Sequence, residues 1–186
     1  MDGLTPFQTL GPFFDFGLEI ADGGVIAKPL AAGQHIDIEG TVRDGAGDVL
    51  PDALVEIWQA DARGKYRKPQ NPPSGSADPA FEGFGRVATD EHGRFVFSTV
   101  MPGRVPGPGG TLQAPHLAVG FLARGVLTRL ITRLYFEHEP SNAEDPILAL
   151  VPAHRRPTLM ATRIGDSRYR FDIVLQGPGE TVFFDV

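Results

Sequence analysis

The chain has 186 residues, 41% of them hydrophobic and 22% charged, with a formal net charge of −6. One domain is the expectation at this length, burying roughly 70% of the surface its unfolded chain would expose. The acidic balance argues against nucleic-acid binding, and no apolar run approaches the ~20 residues of a membrane helix. The absence of Cys removes disulfides, thiolate chemistry and Cys-type zinc sites. The opening MDGLTPFQTL lacks the basic-then-apolar layout of a signal peptide, so the expected location is the cytoplasm. The 23 Gly and 17 Pro suit many short strands joined by tight turns, because Gly supplies positive φ and Pro cannot donate within a ladder.

In chain order, residues 1–34 form an N-terminal arm without clear periodicity, carrying Phe7, Phe13, Phe14 and Phe16. Such an arm is too apolar for water and is expected to pack on another chain. Strict alternation then begins. HIDIEGTV, 35–42, places Ile36, Ile38 and Val42 on one face, ahead of a turn at Asp44-Gly45-Ala46-Gly47. A second strand is predicted over 53–59, ALVEIWQ. Strands over 84–89 and 94–99 flank Asp90-Glu91-His92-Gly93, which reads as a hairpin loop. Two more, over 116–123 and 129–136, pair around Arg124-Gly125. Residues 145–163 look partly helical, but Pro152 and Pro157 limit any helix to a turn or two. The stretch 169–176 puts Tyr169, Phe171, Ile173 and Leu175 on one side, and ETVFFD, 180–185, is placed to close the sheet. About eight strands at this spacing predict an all-β fold, a two-sheet β-sandwich in a single domain spanning 1–186. Long loops are expected over 68–80 and 101–110.

Local motifs for chemistry are few. The five His, at 35, 92, 116, 138 and 154, form no HxH, HxxxH or HExxH pair, and no GxSxG elbow occurs. Gly107-Pro108-Gly109-Gly110 precedes no helix that would cradle a phosphate. His116, at a strand start after Pro115, reads as a hydrogen-bonded core or edge histidine. Arg129 and Arg133 share a strand face with Ile131 and Tyr135. Two readings stay open for them: ordinary salt bridges, or an anion site, since guanidinium suits bidentate carboxylate contacts.

Five segments in order carry a resemblance: TPFQTLGPFF near the start, GTVRDGAGDVLPDALVEIWQADARGKYR (40–67), FEGFGRVATDEHGRFVFSTVMPG (81–103), APHLAVGFLARGVLTRLITRLYFE (114–137) and YRFDIVLQGPGETVFFD (169–185). They cover well over half the chain, which resembles the intradiol ring-cleaving dioxygenases, in particular the alpha-type chain of the two-chain members that act on protocatechuate. The resemblance implies a β-sandwich pairing with a homologous beta chain in a larger symmetric assembly. It also implies one Fe(III) held by the beta chain through two Tyr and two His, a hard-donor set suited to a ferric ion. Protocatechuate and O2 are the implied substrates and 3-carboxy-cis,cis-muconate the implied product.

Carried onto this chain, the ligand pattern is half kept. The G-x-Y-R string survives as Gly64-Lys65-Tyr66-Arg67. P-G-P-Y-P reads Pro102-Gly103-Arg104-Val105-Pro106, with Val105 in place of a phenol. R-P-x-H-x-H reads Gln113-Ala114-Pro115-His116-Leu117-Ala118, keeping one His, losing the other to Ala118, and replacing Arg by Gln113. The resemblance therefore implies no catalytic residue and no metal site in this chain, and inactivity when alone. Its implied substrate-binding residues are Thr9, Gly11 and Phe13 of the arm, forming pocket wall beside the partner's iron, and Arg133, facing the substrate carboxylate or an interface acid. The competing expectation is a non-catalytic β-sandwich binding or assembly module of the same descent.

Overall fold

The structure, a computed structural model, describes residues 9, 17, 18, 20–67 and 78–185. Phe7, Gly11, Phe13, Phe14, Phe16 and most of the 68–80 loop lie outside the described residues. The chain is all-β: among the described residues, helix is confined to short 3₁₀ turns and to Gly17 and Leu18. The strands are β1 His35–Arg43, β2 Leu54–Trp58, β3 Phe84–Ala88, β4 Arg94–Val100, β5 Val105–Pro106, β6 Leu112–Gln113, β7 His116–Leu122, β8 Leu130–Phe136, β9 Met160–Arg163, β10 Arg168–Arg170 and β11 Ile173–Val174. The predicted alternation holds, with Ile36, Ile38 and Val42 of β1 all buried.

Pairing runs β11-β1-β10-β9-β8-β7-β2-β3, with β4 also on β1 and β5–β6 apart. The sheet thus folds back on itself through β9, nearly as a barrel. The larger of two buried clusters fills the interior, where Ile36, Ile38, Phe95 and Phe97 of β1 and β4 meet Val55, Ile57, Val119 and Phe121 of β2 and β7. A smaller one gathers Ala114, Tyr135, Leu148, Val151 and Leu159. Among the described residues no helix is long and apolar enough to cross a membrane.

Three sequence expectations are corrected. The Asp90–Gly93 turn forms, with the Asp90 carboxylate accepting from the His92 and Arg94 amides, yet β3 and β4 do not pair as a hairpin. The backbone of 23–27 intervenes: the Arg86 N–H donates to Gly23 O at 3.0 Å, and the Ser98 N–H donates to Gly24 O at 2.7 Å. The predicted strand over 169–176 is split, because the Asp172 carboxylate takes the Thr41 N–H that a continuous ladder would bond to backbone. Finally, 180–185 is not a strand. It is tied by the Thr181 N–H to Val174 O and the Phe184 N–H to Ile131 O, and so still covers an edge of β8 and β11.

Candidate functional site

Alternation along β7 turns Leu117, Val119 and Phe121 into the core and leaves His116, Ala118 and Gly120 on the outer face. The ladder aligns Phe84, Trp58, Ala118 and Arg133 in one row across β3, β2, β7 and β8. Large side chains therefore flank a partly exposed methyl group. Tyr66 leans over this row, its ring centroid 5.3 Å from that of half-exposed Trp58. A turn on Asp61 delivers it: the buried carboxylate accepts from the Arg63 and Lys65 amides, both at 2.9 Å. Gly64 makes that turn at φ 74°, with Arg104 O occupying the space a Cβ would need.

His116 Nδ1 donates to Ala114 O at 2.7 Å, which leaves Nε2 as the free ring nitrogen. Burial holds its pKa below the usual imidazole value, against the Ala114 bond, and the neighbouring Arg133 charge lowers it further. Beside it, Arg133 Nη1 donates to Gln113 Oε1 at 2.6 Å and to the Tyr135 hydroxyl at 3.3 Å. Tyr135, wholly buried, donates to Asp145 Oδ1 at 3.1 Å. Asp145 is saturated by amides: Oδ1 accepts from Ile147 and Leu148, and Oδ2 from Ala114. Burial raises both phenols, Tyr66 and Tyr135, above their ordinary value, and Arg133 opposes the shift in each. At neutral pH the cluster therefore presents two neutral phenols, a neutral imidazole and one guanidinium.

The ferric ion implied by the resemblance does not fit these residues. Tyr66 and His116 are the surviving donors, Val105 is a buried apolar side chain on β5, and Ala118 offers a methyl group. A cation, Arg133, already stands opposite Ala118, bonded to Gln113 and to the Tyr135 hydroxyl next to His116. Among the described residues no group of three His, Cys, Asp or Glu is arranged to hold a metal.

The open question over the two arginines resolves differently for each. Arg129 Nε donates to Glu56 Oε2 at 2.7 Å while Arg86 Nε donates to Oε1 at 2.7 Å, so Arg129 belongs to a salt-bridge cluster. Arg133 has no carboxylate within ion-pair distance among the described residues. Thr9 lies elsewhere, accepting from the Gly125 N–H at 2.7 Å and donating to Ala123 O at 3.4 Å, at the turn that joins β7 to β8. Ala118, opposite Arg133, is five positions before Ala123, roughly 16 Å along the strand. Thr9 and Arg133 therefore stand at opposite ends of β7 within one chain, and a single pocket that uses both draws them from different protomers. Gly11 and Phe13 lie outside the described residues. Sequence reasoning did not single out Tyr135, Asp145 or Trp58. An acid directly before Pro146 at a turn was the available signal for Asp145.

An all-β fold carrying a Tyr and a His from these strings on one outer face defines a class, and the chain matches the dioxygenase family over residues 11–177. It belongs to the intradiol ring-cleaving dioxygenase family. It is 43% identical to the protocatechuate 3,4-dioxygenase alpha chain of Burkholderia cepacia, over 98% of this chain and 97% of that one. The beta chain from the same organism is 35% identical over 80% of this chain and 67% of its own length. Among solved structures, the dioxygenase domain of a dioxygenase–carbohydrate-binding fusion from Streptomyces sp. SirexAA-E superposes with a TM-score of 0.66 at 27% identity, covering 92% of this chain and 97% of that one.

Proposed function

We propose that this chain is the iron-free alpha-type subunit of a two-chain, cytoplasmic protocatechuate 3,4-dioxygenase, forming αβ protomers with a homologous beta chain. The complex inserts O2 into protocatechuate to give 3-carboxy-cis,cis-muconate, both oxygen atoms entering the product. The Fe(III) of the beta chain supplies activation of the dihydroxylated ring. This chain supplies pocket wall and assembly contacts from a single β-sandwich domain, 1–186, with the start of its arm, 1–34, laid on the partner before 23–27 enter this chain's own sheet. The observation that carries the reading is near-full-length similarity to alpha chains combined with Val105 and Ala118 in the strings that would otherwise provide metal donors.

Within that reading, Thr9, Gly11 and Phe13 line the pocket edge, where Gly11 lets backbone approach the substrate closely. Arg133 serves the substrate carboxylate. It is half-buried, only its Nη1 is engaged among the described residues, and a local cation offsets the long-range repulsion that a net charge of −6 exerts on an anion. The test is iron content and oxygen uptake on protocatechuate, for the chain alone and co-expressed with its beta partner. A colourless, inactive lone chain and a red-brown, active complex are expected. Stoichiometric iron and oxygen uptake in the lone chain would overturn the reading, and an iron-loaded complex without turnover would favour a non-catalytic assembly module.

A further inference from the structure

We infer that the Arg133 guanidinium stands in for a metal cation in this chain, so that the site among Tyr66, His116 and Ala118 rejects metal ions by charge as well as by missing donors. The ladder places Arg133 directly opposite Ala118, on the same outer face as His116. Trp58 stands on the far side of Ala118, and Tyr66 packs on Trp58.

Its two nearest partners, Gln113 and Tyr135, are neutral acceptors, and the carboxylate behind Tyr135 is already bound by three amides. The positive charge is thus held in place without being cancelled at contact. His116 lies two positions before Ala118 on β7, and its ring packs 5.7 Å from that of Tyr135, whose hydroxyl Arg133 bonds. A di- or trivalent ion bound between Tyr66 and His116 would lie near a fixed monocation and be repelled at short range. Gln113 fixes the guanidinium without adding charge of either sign: its Oε1 accepts from Arg133 while its Nε2 donates to Pro106 O.

The inference concerns this chain's own residues and stands whether or not it pairs with a beta-type chain. The full-length chain carrying V105Y and A118H regains two donors but keeps the cation, and is expected to bind little Fe(III) offered as its citrate complex. Adding R133Q should raise retained iron at least about tenfold and bring in a visible phenolate-to-iron band, whereas R133K in the same background should not. Stoichiometric iron in the double variant, equal iron in the Gln and Lys triples, or none in any folded variant would overturn the inference. Because a Tyr at buried position 105 can impair folding, R133Q and R133K are also made singly and titrated with Zn(II). Weak Zn(II) binding should rise at least about tenfold with Gln and not with Lys, and no rise would be equally fatal.

Discussion

The outer face of the β3–β2–β7–β8 layer carries two polar clusters built around arginines from the same stretch of chain. At one end, Glu56, with its side chain only 7% exposed, lies between Arg86 and Arg129. Gly120 makes this possible, because a Cβ there would collide with the Arg129 guanidinium. At the other end, Arg133 is paired opposite Ala118 and, among the described residues, bonds only neutral acceptors. The first cluster closes its charges on one another and is structural. The second holds an uncancelled charge at the surviving Tyr and His. A carboxylate on the neighbouring strand commits one arginine to the fold, and its absence leaves the other available for chemistry.

The most damaging way to break the comparison is to open the closed cluster. Glu56→Gln leaves Arg86 and Arg129 facing each other across a poorly solvated site, and should cost about 3 kcal/mol of stability in urea unfolding. A loss under about 1 kcal/mol would show that the cluster is as open as the one around Arg133.

The next test uses pH. His116 has its folded pKa lowered, chiefly by burial, from the ordinary imidazole value of 6.5. An unfolded chain takes up this proton near 6.5 and the folded chain only at lower pH. Its contribution is therefore complete above pH 6.5 and lost as the pH falls below that value. The slope is at most about 1.4 kcal/mol per pH unit for one proton. The carboxylates of Asp78, Glu82 and Asp90, held low mainly by amide and ion-pair partners, add acid sensitivity at lower pH. That part is common to wild type and His116→Asn and cancels between them. The variant's stability should be flatter from pH 7 to 5, and parallel curves would mean His116 takes up its proton as readily in the folded chain as in the unfolded one.

Tyr135→Phe is smaller again. It removes the hydroxyl between Arg133 and Asp145, but Asp145 keeps its three amides and Arg133 keeps Gln113. About 1 kcal/mol is expected by thermal or urea unfolding. A loss near that of Glu56→Gln would make the second cluster a structural network as well.

Much of the frame behind these clusters was legible in the chain because burial imposes a period of two. Ile36, Ile38 and Val42, or Leu117, Val119 and Phe121, announce a buried face without help from any partner. What alternation omits is which strand lies next door. Nothing around Phe84–Ala88 or Arg94–Val100 tells that 23–27 comes between them. The same blindness applies to the site: Arg129 and Arg133 look equivalent in LTRLITRLYF, and only the fold brings Glu56, 73 positions away, to one of them. Tyr66 and His116 were readable through their strings. The Tyr135–Asp145 bond behind Arg133 was not, since a buried hydroxyl in an alternating strand looks like any other aromatic core residue.

The smallest stability effect belongs to the residue with the most to say about function. Arg133→Gln should change unfolding free energy by about 0.5 kcal/mol or less, because it deletes no ion pair and Gln113 and Tyr135 can bond a side-chain amide instead. A loss of about 2 kcal/mol would place Arg133 with Arg129 as a structural cation and collapse the contrast between the two clusters. With stability unchanged, kinetics on the co-expressed complex become interpretable. Arg133→Ala should raise KM for protocatechuate several-fold more than for catechol, which lacks the carboxylate, while kcat moves little, as for loss of a uniform binding contact. If KM rises equally for both substrates, the arginine shapes the chain without meeting the carboxylate. Its charge would then serve only to keep metal away from Tyr66 and His116.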